Sequence, residues 1–264
     1  MFDRPNPLRA RLARDGVVFG SACFAWSPGV VEVAGLAGLD YVRLDTEHAW
    51  RRDDTLEHLV RAAWLAGTTP MIRVDRGDPL LVRKALEIGA GAVLVSDIRT
   101  VAEAEEVVRA AHFPPEGTRG FSGNNFAGGW QRHPAAAWMQ WSNREPMIGV
   151  MVEHPDAVAV IEQTVRIPGL DFVFFGPGDY SVAIGVPGQA RGNPDVEAAM
   201  RRTIGAARAA GLHAVANGGG DGAETTRVRA MGADIIEFGN DLSALSGGWT
   251  KALARGRAAG EDKA

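Results

Sequence analysis

The chain has 264 residues, of which 46% are hydrophobic and 23% are charged, and its net charge is −4. This mild acidity, without a basic stripe or a block of like charge, argues against nucleic acid or a membrane surface as a partner. No run approaches the roughly 18 apolar residues of a membrane helix, and the N-terminus lacks the apolar stretch of a signal peptide. Cys23 is the only cysteine, so no intrachain disulfide can form, and a cytoplasmic location is predicted.

Eight short apolar runs have the length and flanking residues of buried parallel strands. Most are too short for helices and are bounded by glycine or polar residues. Cys23 lies in the first run, which favours a buried thiol over a nucleophile. The runs are Val17–Phe24, Tyr41–Leu44, Pro70–Val74, Ala92–Val95, Met147–Val152, Phe172–Phe175, His213–Ala216 and Ile235–Phe238.

Helical patterns alternate with these runs. Ser27 is expected to cap the first helix. The predicted helices are Pro28–Ala37, Asp53–Ala66, Pro79–Ile88, Thr100–Ala111 and Asn193–Ala210. Glycines that can end a helix stand at Gly35, Gly38, Gly67, Gly89, Gly211 and Gly232.

Strict alternation of eight strands with helices predicts an α/β protein with a (β/α)8 TIM barrel, ahead of an open doubly wound sheet. Residues 1–264 are interpreted as a single domain with short flexible ends over residues 1–12 and 256–264. The longest irregular stretch, residues 113–145, predicts a lid or an interface segment.

Acids and bases recur at the downstream ends of the strand runs. In a sheet of parallel strands these ends lie on one edge, so residues far apart in sequence would meet there. The pattern therefore predicts one active site assembled from several strands. The strand-end segments are Asp45–His48, Arg73, Glu153 and Gly176–Asp179.

Glu153 and Asp179 each follow a strand run. Two carboxylates that converge in a partly closed cleft repel each other unless a proton or a cation lies between them. One or two carboxylates together with several waters satisfy an octahedral divalent cation, so a metal site is expected here. The alternative is that the two acids cap neighbouring helices or pair with loop arginines.

His48 follows the second strand run, three residues after Asp45. A histidine can act as a base near neutral pH, and a neighbouring carboxylate fixes its tautomer. We therefore expect the two residues to act together. A loop histidine with a local hydrogen bond is the alternative.

Arg73 ends the third strand run. A guanidinium at the end of an apolar run is costly to bury unless it meets an anion, and its fork geometry suits a carboxylate or an enolate oxygen. The alternative is an ion pair with Glu47 or Asp75.

Two glycine-rich turns lie at later strand ends. Gly176–Asp179 forms a sterically open turn whose backbone N–H groups can bind a small anion. Asn217–Gly222 lacks the Lys-Ser/Thr of a P-loop and the spacing of a dinucleotide fingerprint. It is interpreted as a flexible loop near the substrate entrance.

Five blocks of the sequence resemble, in order, motifs of the HpcH/HpaI aldolase family, the class II metal-dependent pyruvate aldolases. The resemblance extends from Gly16 to Ala254 and includes Gly192-Asn193-Pro194 before a helix. The blocks are Leu44–Ala49, Met71–Arg73, Gly117–Gly120, Val150–Glu153 and Phe174–Ser181.

The resemblance implies a TIM barrel whose last helix swaps between subunits, commonly in a homohexamer built as a trimer of dimers. It also implies that Glu153 and Asp179 bind the metal ion, which would be Mg²⁺, Mn²⁺ or Co²⁺. Water and a bidentate 2-oxo acid would complete the coordination.

The resemblance further implies roles for the remaining strand-end residues. Arg73 would contact the keto oxygen and stabilise the enolate. His48, oriented by Asp45, would form the acid–base pair with a metal-bound water. The pyruvate carboxylate would be held by the backbone of the Gly176–Asp179 turn, at Gly178 and Asp179.

The chain departs from the family's pattern at several positions. Met151 stands where many members carry glutamine, Ser96-Asp97 replaces a proline-containing turn, and Trp50 stands where proline commonly follows the histidine block. The Gly218–Gly222 run is unusual at a position that normally shapes the aldehyde pocket. These departures leave the metal and enolate machinery intact and bear on the acceptor substrate. The expected pocket residues are Glu47, Met151, Trp50 and Asn217.

The leading hypothesis is a divalent-metal-dependent aldolase, a carbon–carbon lyase that reversibly adds the pyruvate enolate to an aldehyde to form 4-hydroxy-2-oxo acids. The three lysines, Lys84, Lys251 and Lys263, are not at strand ends, which argues against a Schiff-base aldolase. The alternatives are an oxaloacetate decarboxylase, a synthase that uses the same enolate, and a barrel that binds small acids without turning them over. A citryl-CoA lyase is disfavoured, because the chain lacks an obvious basic patch for a coenzyme A phosphate.

Overall fold

Eight parallel strands close into a barrel in sequence order. The computed structural model describes residues 3–48, 54–220 and 222–261. The predicted (β/α)8 barrel is confirmed, and every strand lies within two residues of its predicted bounds. The strands are β1 (Val18–Cys23), β2 (Tyr41–Asp45), β3 (Thr69–Val74), β4 (Ala92–Val95), β5 (Met147–Val152), β6 (Phe172–Phe175), β7 (His213–Asn217) and β8 (Ile235–Asn240).

The predicted helices are also confirmed to within two residues, although the predicted start at Asp53 lies outside the described residues. None of the described helices is both long and apolar enough to cross a membrane. The helices are α1 (Pro7–Asp15), α2 (Pro28–Leu36), α3 (Thr55–Leu65), α4 (Pro79–Glu87), α5 (Val101–Ala111), the 3-10 helix η1 (Gly129–Gln131), α6 (Ala135–Ser142), α7 (Pro155–Ala159), α8 (Ile161–Thr164), α9 (Pro177–Ala183), α10 (Pro194–Ala209), α11 (Gly222–Ala230) and α12 (Asp241–Glu261).

One local prediction about α2 is confirmed only in part, and a second is wrong. Ser27 occupies the N-cap position, but its side chain makes no capping hydrogen bond. Gly35 does not end the helix. A Cβ at Gly35 would lie 2.6 Å from the Cβ of Ala66, so this glycine allows α2 to pack closely against the end of α3. The other predicted helix-ending glycines have positive φ, as expected: Gly38, Gly67, Gly89, Gly211 and Gly232.

Side chains from alternate strand positions fill the barrel interior. Tyr41, Met147 and Phe172 have no exposed surface and pack in one apolar cluster. Glycines make room for the two aromatic rings: a Cβ at Gly20 would lie 2.4 Å from the Tyr41 ring, and one at Gly149 would lie 2.2 Å from the Phe172 ring. The lower barrel is therefore a packed core that supports the opposite end.

Helix α1 lies against the N-terminal end of the barrel. The side chain of Asn6 accepts a hydrogen bond from the backbone N–H of Leu8 at 2.9 Å and so caps the helix. Leu8 and Leu12 are buried and join the interior apolar cluster. The predicted flexible end over residues 1–12 is therefore wrong from Pro7 onward, because this segment is capped and buries two leucines. The tail that was predicted to be flexible from residue 256 is helical up to Glu261.

Three aspartates bracket the strands at the same barrel end. Asp40, Asp171 and Asp234 each directly precede an even-numbered strand and accept a hydrogen bond from a backbone N–H of the strand before it, at 2.7–2.9 Å. Each also forms an ion pair with an arginine, at 2.5–2.8 Å. The arginines are Arg11, Arg9 and Arg208, respectively. These three aspartates thus help to hold neighbouring strands together at this end of the barrel.

The long connection over residues 113–145 also lies at the N-terminal end of the strands. The Asn6 side chain donates to the carbonyl of Gly91, just before β4, at 2.7 Å. The Asn6 backbone N–H donates to the carboxylate of Glu145, near the start of β5, at 2.6 Å. This connection joins α5 to β5 at the barrel end opposite the strand-end acids, so the prediction of a lid is wrong. Its use as an interface segment stays a prediction.

Cys23 is 3% exposed. Burial, assisted by the charge of Asp241, raises the pKa of its thiol to about 12. The interpretation of this residue as a buried thiol is therefore confirmed, since the thiolate needed for nucleophilic attack is strongly disfavoured.

Candidate active site

The strand-end residues meet at the C-terminal end of the barrel. Asp45 is the last residue of β2 and lies beside Arg73 of β3 in the strand register. Glu153 directly follows β5, and Asp179 lies in the first turn of α9, after β6. Glu47, two residues beyond β2, joins them. One guanidinium and four carboxylates therefore surround the mouth of the barrel.

Glu153 is a buried carboxyl with one unsatisfied oxygen. The side chain is 5% exposed, and its Oε1 accepts a hydrogen bond from the backbone N–H of Asp97 at 2.7 Å. Its Oε2 is buried and has no hydrogen-bond partner among the described residues. Burial raises the pKa of Glu153 to about 7, with smaller contributions from the charges of Asp179 and Glu47, whereas the Asp97 N–H and Arg73 oppose the rise.

Glu153 and Asp179 fit a divalent cation. A cation between them would satisfy the unpaired Oε2 and offset the repulsion between the two carboxylates. No cluster of three or more His, Cys, Asp or Glu side chains suited to a metal occurs in the described part of the chain. The protein would therefore supply two ligands and leave the other coordination positions to water and substrate.

Arg73 lies between acids and is 4% exposed. One guanidinium nitrogen pairs with Asp45, and another lies 2.9 Å from the carboxylate of Glu47 and 3.7 Å from the sulfur of Met151. Its Nε is buried without a hydrogen-bond partner in the described part of the protein. The alternative of an ion pair with Glu47 is therefore confirmed. The second partner of Arg73 is Asp45, where Asp75 had been considered. The guanidinium charge lies at the mouth of the barrel.

Asp45 orients His48 in a different way from the one predicted. The Asp45 carboxylate accepts a hydrogen bond from the backbone N–H of His48 at 3.0 Å, not from its ring. The imidazole is 57% exposed, and its Nε2 lies 3.9 Å from a carboxylate oxygen of Glu47. Asp45 is already bound to two guanidinium groups, and its hydrogen bond to the His48 backbone fixes the turn that carries the exposed ring.

A second buried arginine was missed by the sequence interpretation. Arg43 of β2 donates two hydrogen bonds to Glu237 of β8, at 2.7 and 2.8 Å, and a third to Asp45, at 2.6 Å. Arg43 and Glu237 are 6% and 2% exposed. Their only sequence signal is a charged residue inside an apolar strand run. Arg43 and Glu237 neutralise each other's charge beneath the mouth of the barrel, and Arg43 also binds the Asp45 carboxylate.

The glycine turn after β6 leaves room for the carboxylate of Glu153. A Cβ at Gly176 would lie 2.6 Å from Glu153 Oε2, whereas one at Gly178 would meet no atom within 4 Å. Gly176 is thus required by close approach, and Gly178 faces open space at the mouth. Of the other expected pocket residues, Asn217 lines a cavity next to Gly178, and Trp50 lies outside the described residues.

The sequence pattern of the HpcH/HpaI aldolase/citrate lyase family matches residues 23–246, most of the chain and all of the strand-end site. The chain belongs to this family. The resemblance inferred from five short motifs is confirmed.

This member of the HpcH/HpaI family is similar to named enzymes over most of its length. It is 33% identical over 255 residues to the 2-keto-3-deoxy-L-rhamnonate aldolase of Klebsiella pneumoniae subsp. pneumoniae, which covers 95% of this chain and 91% of that protein. It is 32% identical to the hydroxypyruvate/pyruvate aldolase of Delftia acidovorans over 78% of this chain and 76% of that protein. The crystal structure of the citrate synthase SbnG superposes with a TM-score of 0.88 at 26% identity, over 97% of this chain and 99% of SbnG.

The family match, together with the aldolases that are 32–33% identical over most of the chain, identifies this protein as an aldolase, and hence a carbon–carbon lyase. The hypothesis of a barrel that binds small acids without turnover is not supported by these relatives. The alternative of a decarboxylase or a synthase is likewise not favoured, since the two relatives named above at more than 30% identity are aldolases.

Proposed function

We propose that this aldolase depends on a divalent cation held by Glu153 and Asp179, and that it cleaves and forms 4-hydroxy-2-oxo acids with pyruvate as one product. The observation that carries the proposal is the buried, unpaired Oε2 of Glu153 at the mouth of the barrel. A buried charge without a partner is strongly unfavourable, and a bound cation removes that cost. When bound, the cation would act as a Lewis acid on the oxygen atoms of the 2-oxo acid.

The residues around the mouth would bind the substrate in a defined orientation. The open backbone at Gly178 and Asp179 would receive the carboxylate of the 2-oxo acid, next to Gly176. Arg73 would face the keto oxygen, because its Nε lacks a partner among the described residues and its charge is held at this position by Asp45 and Glu47. Met151 would line the floor beneath the keto group.

The chain's own groups then account for the proton and electron movements of cleavage. His48 would remove the proton from the 4-hydroxyl group, the carbon–carbon bond between C3 and C4 would break, and the aldehyde would leave. The electron pair moves onto the keto oxygen, so the enolate charge develops opposite the Arg73 guanidinium. A proton taken up at C3 from solvent water would give pyruvate and would balance the proton that His48 removed. Because the imidazole is 57% exposed, His48 could return its proton to water between turnovers.

The predicted assembly and location are part of this proposal. Four large apolar residues of α12 are between 40% and 70% exposed, which supports a homo-oligomer in which this helix packs on another subunit. They are Leu242, Leu245, Trp249 and Leu253. The homohexamer, the helix swap, the choice among Mg²⁺, Mn²⁺ and Co²⁺ and the cytoplasmic location stay predictions.

The test is exchange of the pyruvate methyl protons in D₂O, followed by NMR in chelator-treated protein before and after each metal is added. Exchange that appears only with metal is expected for the wild type, and it should be lost in Asp179→Ala while circular dichroism stays unchanged. Full exchange by Asp179→Ala at saturating metal would contradict the ligand assignment. Absence of exchange with every metal, in folded protein, would contradict the pyruvate aldolase proposal and favour oxaloacetate decarboxylation.

A further inference from the structure

A cavity of about 1200 Å³ opens next to the proposed pyruvate site. Gly178 of α9, Asn217 of β7 and Asn240 of β8 lie on its wall, so it adjoins the C-terminal end of the barrel. Most of the rest of its wall comes from the loop before α10, from the loop between β7 and α11, and from α11 and α12. Its volume exceeds what pyruvate requires, which leaves space for a second substrate.

Among the described residues that line this cavity, the charges without an ion-pair partner are positive. Arg227 is paired with Glu224 through two hydrogen bonds, at 2.7 and 2.9 Å. Arg191 and Lys251 also line the cavity, and neither has an ion-pair partner in the described ranges 3–48, 54–220 and 222–261. Unpaired cations facing a cavity in a chain of net charge −4 indicate an anionic ligand.

The glycine-rich loop after β7 keeps Arg191 uncovered. Gly219 has a φ of +65°, and a Cβ there would lie 3.4 Å from Nη2 of Arg191 and 3.0 Å from the Cβ of Glu224. Any side chain at Gly219 would therefore crowd the guanidinium. Gly220 adds no side chain to the same wall, and Arg191 and Asn217 line the same cavity.

We propose that Arg191 is a specificity-determining residue that selects aldehyde acceptors with a terminal anionic group. A guanidinium fork binds a carboxylate or a phosphate through two parallel hydrogen bonds. The aldehyde carbon would lie next to the pyruvate methyl carbon, and the anionic end would extend into the cavity toward Arg191. This inference rests on the proposed function.

The test compares matched acceptors in the wild type, in Arg191→Gln and in Arg191→Lys. Condensation of pyruvate with 4-oxobutanoate is measured against butanal, and glyceraldehyde 3-phosphate against glyceraldehyde, which separates a carboxylate from a phosphate. We expect the wild type to prefer an anionic acceptor and Arg191→Gln to lose about tenfold or more of that preference, with partial rescue by lysine. Arg201→Gln, an exposed arginine of α10 paired with Glu197, controls for the loss of one surface charge.

An equal acceptor preference in Arg191→Gln and the wild type, or a wild type that prefers the neutral aldehydes, would overturn the inference. Methyl-proton exchange, measured on the same samples, reports enolisation separately. Saturation-transfer NMR with 4-hydroxybutanoate and 1-butanol tests the cavity without turnover. If enolisation is absent but 4-hydroxybutanoate binds in an Arg191-dependent way, the proposed function fails and the anion subsite stands.

A separate observation concerns Asp97, which follows β4. Its φ of +47° places it in the left-handed region, which few residues other than glycine, asparagine and aspartate adopt. The Asp97 carboxylate accepts two hydrogen bonds from Arg99, both at 3.0 Å, and lies 3.1 Å from Nε of Arg76. Two arginines thus hold Asp97 in this conformation.

The consequence is seen at Glu153. The left-handed turn directs the backbone N–H of Asp97 at Glu153 Oε1, at 2.7 Å. With one oxygen fixed in this way, the other lies unpaired beside Gly176. We infer that Asp97 is a positioning residue that presents Glu153 to the cation, an inference that also rests on the proposed function.

Binding of Mn²⁺, followed by electron paramagnetic resonance, tests this role apart from activity. Asp97→Ala should weaken Mn²⁺ binding by about tenfold or more. Asp97→Asn should stay close to the wild type, because asparagine tolerates the left-handed region and can still accept a hydrogen bond from Arg99. Asp75→Ala, which removes an exposed acid just beyond β3, is the control for nearby charge.

Equal Mn²⁺ affinity in Asp97→Ala and the wild type, or an equal loss in Asp75→Ala, would overturn the positioning role. Amide hydrogen exchange of the segment around residue 97, measured by mass spectrometry without metal, provides the independent readout. If the wild type binds no Mn²⁺ but Asp97→Ala loses protection of this segment, the metal proposal fails and the role of Asp97 in fixing this segment stands. If protection is also unchanged, that role is wrong.

Discussion

At the scale of single residues, two buried carboxylates at the mouth of the barrel differ in whether their charge is neutralised by the protein. Asp45 is fully buried but bound to Arg43 and Arg73, whereas Glu153 is nearly as buried and has one oxygen without a partner. The first carboxylate is structural because its charge is neutralised by protein. The second is free for a ligand because its charge is not.

The raised pKa of Glu153 gives metal binding a definite pH dependence. The pKa moves from an ordinary 4.5 to about 7, and only the ionised carboxylate binds a cation. Each pH unit below that value should therefore weaken Mn²⁺ binding by about tenfold, and the affinity should level off above it. Titration calorimetry of metal-free protein from about pH 5.5 to 8 measures this. Affinity that does not change over the range would contradict the role of Glu153.

His48 has a separate test, because its ring is exposed and its backbone, not its ring, is bound to Asp45. His48→Ala should lower the rate of aldol cleavage by about 10²–10⁴-fold and change pyruvate binding far less. Steady-state kinetics alongside pyruvate titration separates the two effects. Equal losses in rate and in binding would indicate that the histidine is structural.

At the scale of elements, the strand periodicity and the helix-ending glycines are local signals, and for that reason they were predictable. Helix α1 was not. Its Leu8 and Leu12 carry no strong pattern in a nine-residue segment, and their partners, such as Tyr41 and Phe172, become available only when the barrel closes.

Helix α1 should contribute strongly to stability. Leu8 is fully buried, so Leu8→Ala should lower the free energy of unfolding by about 2–5 kcal/mol through lost burial and a cavity. Leu36→Ala in α2, where the side chain is 83% exposed, should change it by less than about 0.5 kcal/mol. Urea unfolding of both variants makes the comparison. An effect of Leu8→Ala as small as that of Leu36→Ala would show that α1 contributes little to stability.

At the scale of the whole molecule, closure of the barrel turns eight separate strand ends into one site. The contact between Arg43 and Glu237 joins residues 194 positions apart, and β1 pairs with β8 to make it possible. At the outer surface the same closure leaves α12 with an exposed apolar side and a groove next to α2 lined by Leu245 and Trp249.

The exposed side of α12 should mediate assembly. Trp249 is 70% exposed, and Trp249→Glu should shift the protein to smaller species because a charge in an apolar contact is costly to bury. Light scattering coupled to size exclusion gives the mass. Thr250→Glu, next to it on the same helix and also exposed, is the control. An unchanged mass in Trp249→Glu would place the subunit contact elsewhere.

The sequence by itself determined the barrel and the identity of the strand-end groups, because strand length, alternation with helices and the chemistry at each strand end are all read within a few residues. Only the tertiary structure decided which of those groups are neutralised. Asp45 binds two arginines, the His48 ring lies near Glu47 instead of Asp45, and the amide that fixes Glu153 comes from Asp97, 56 residues away. Those outcomes depend on distances and burial set across the closed barrel, which no local pattern of residues specifies.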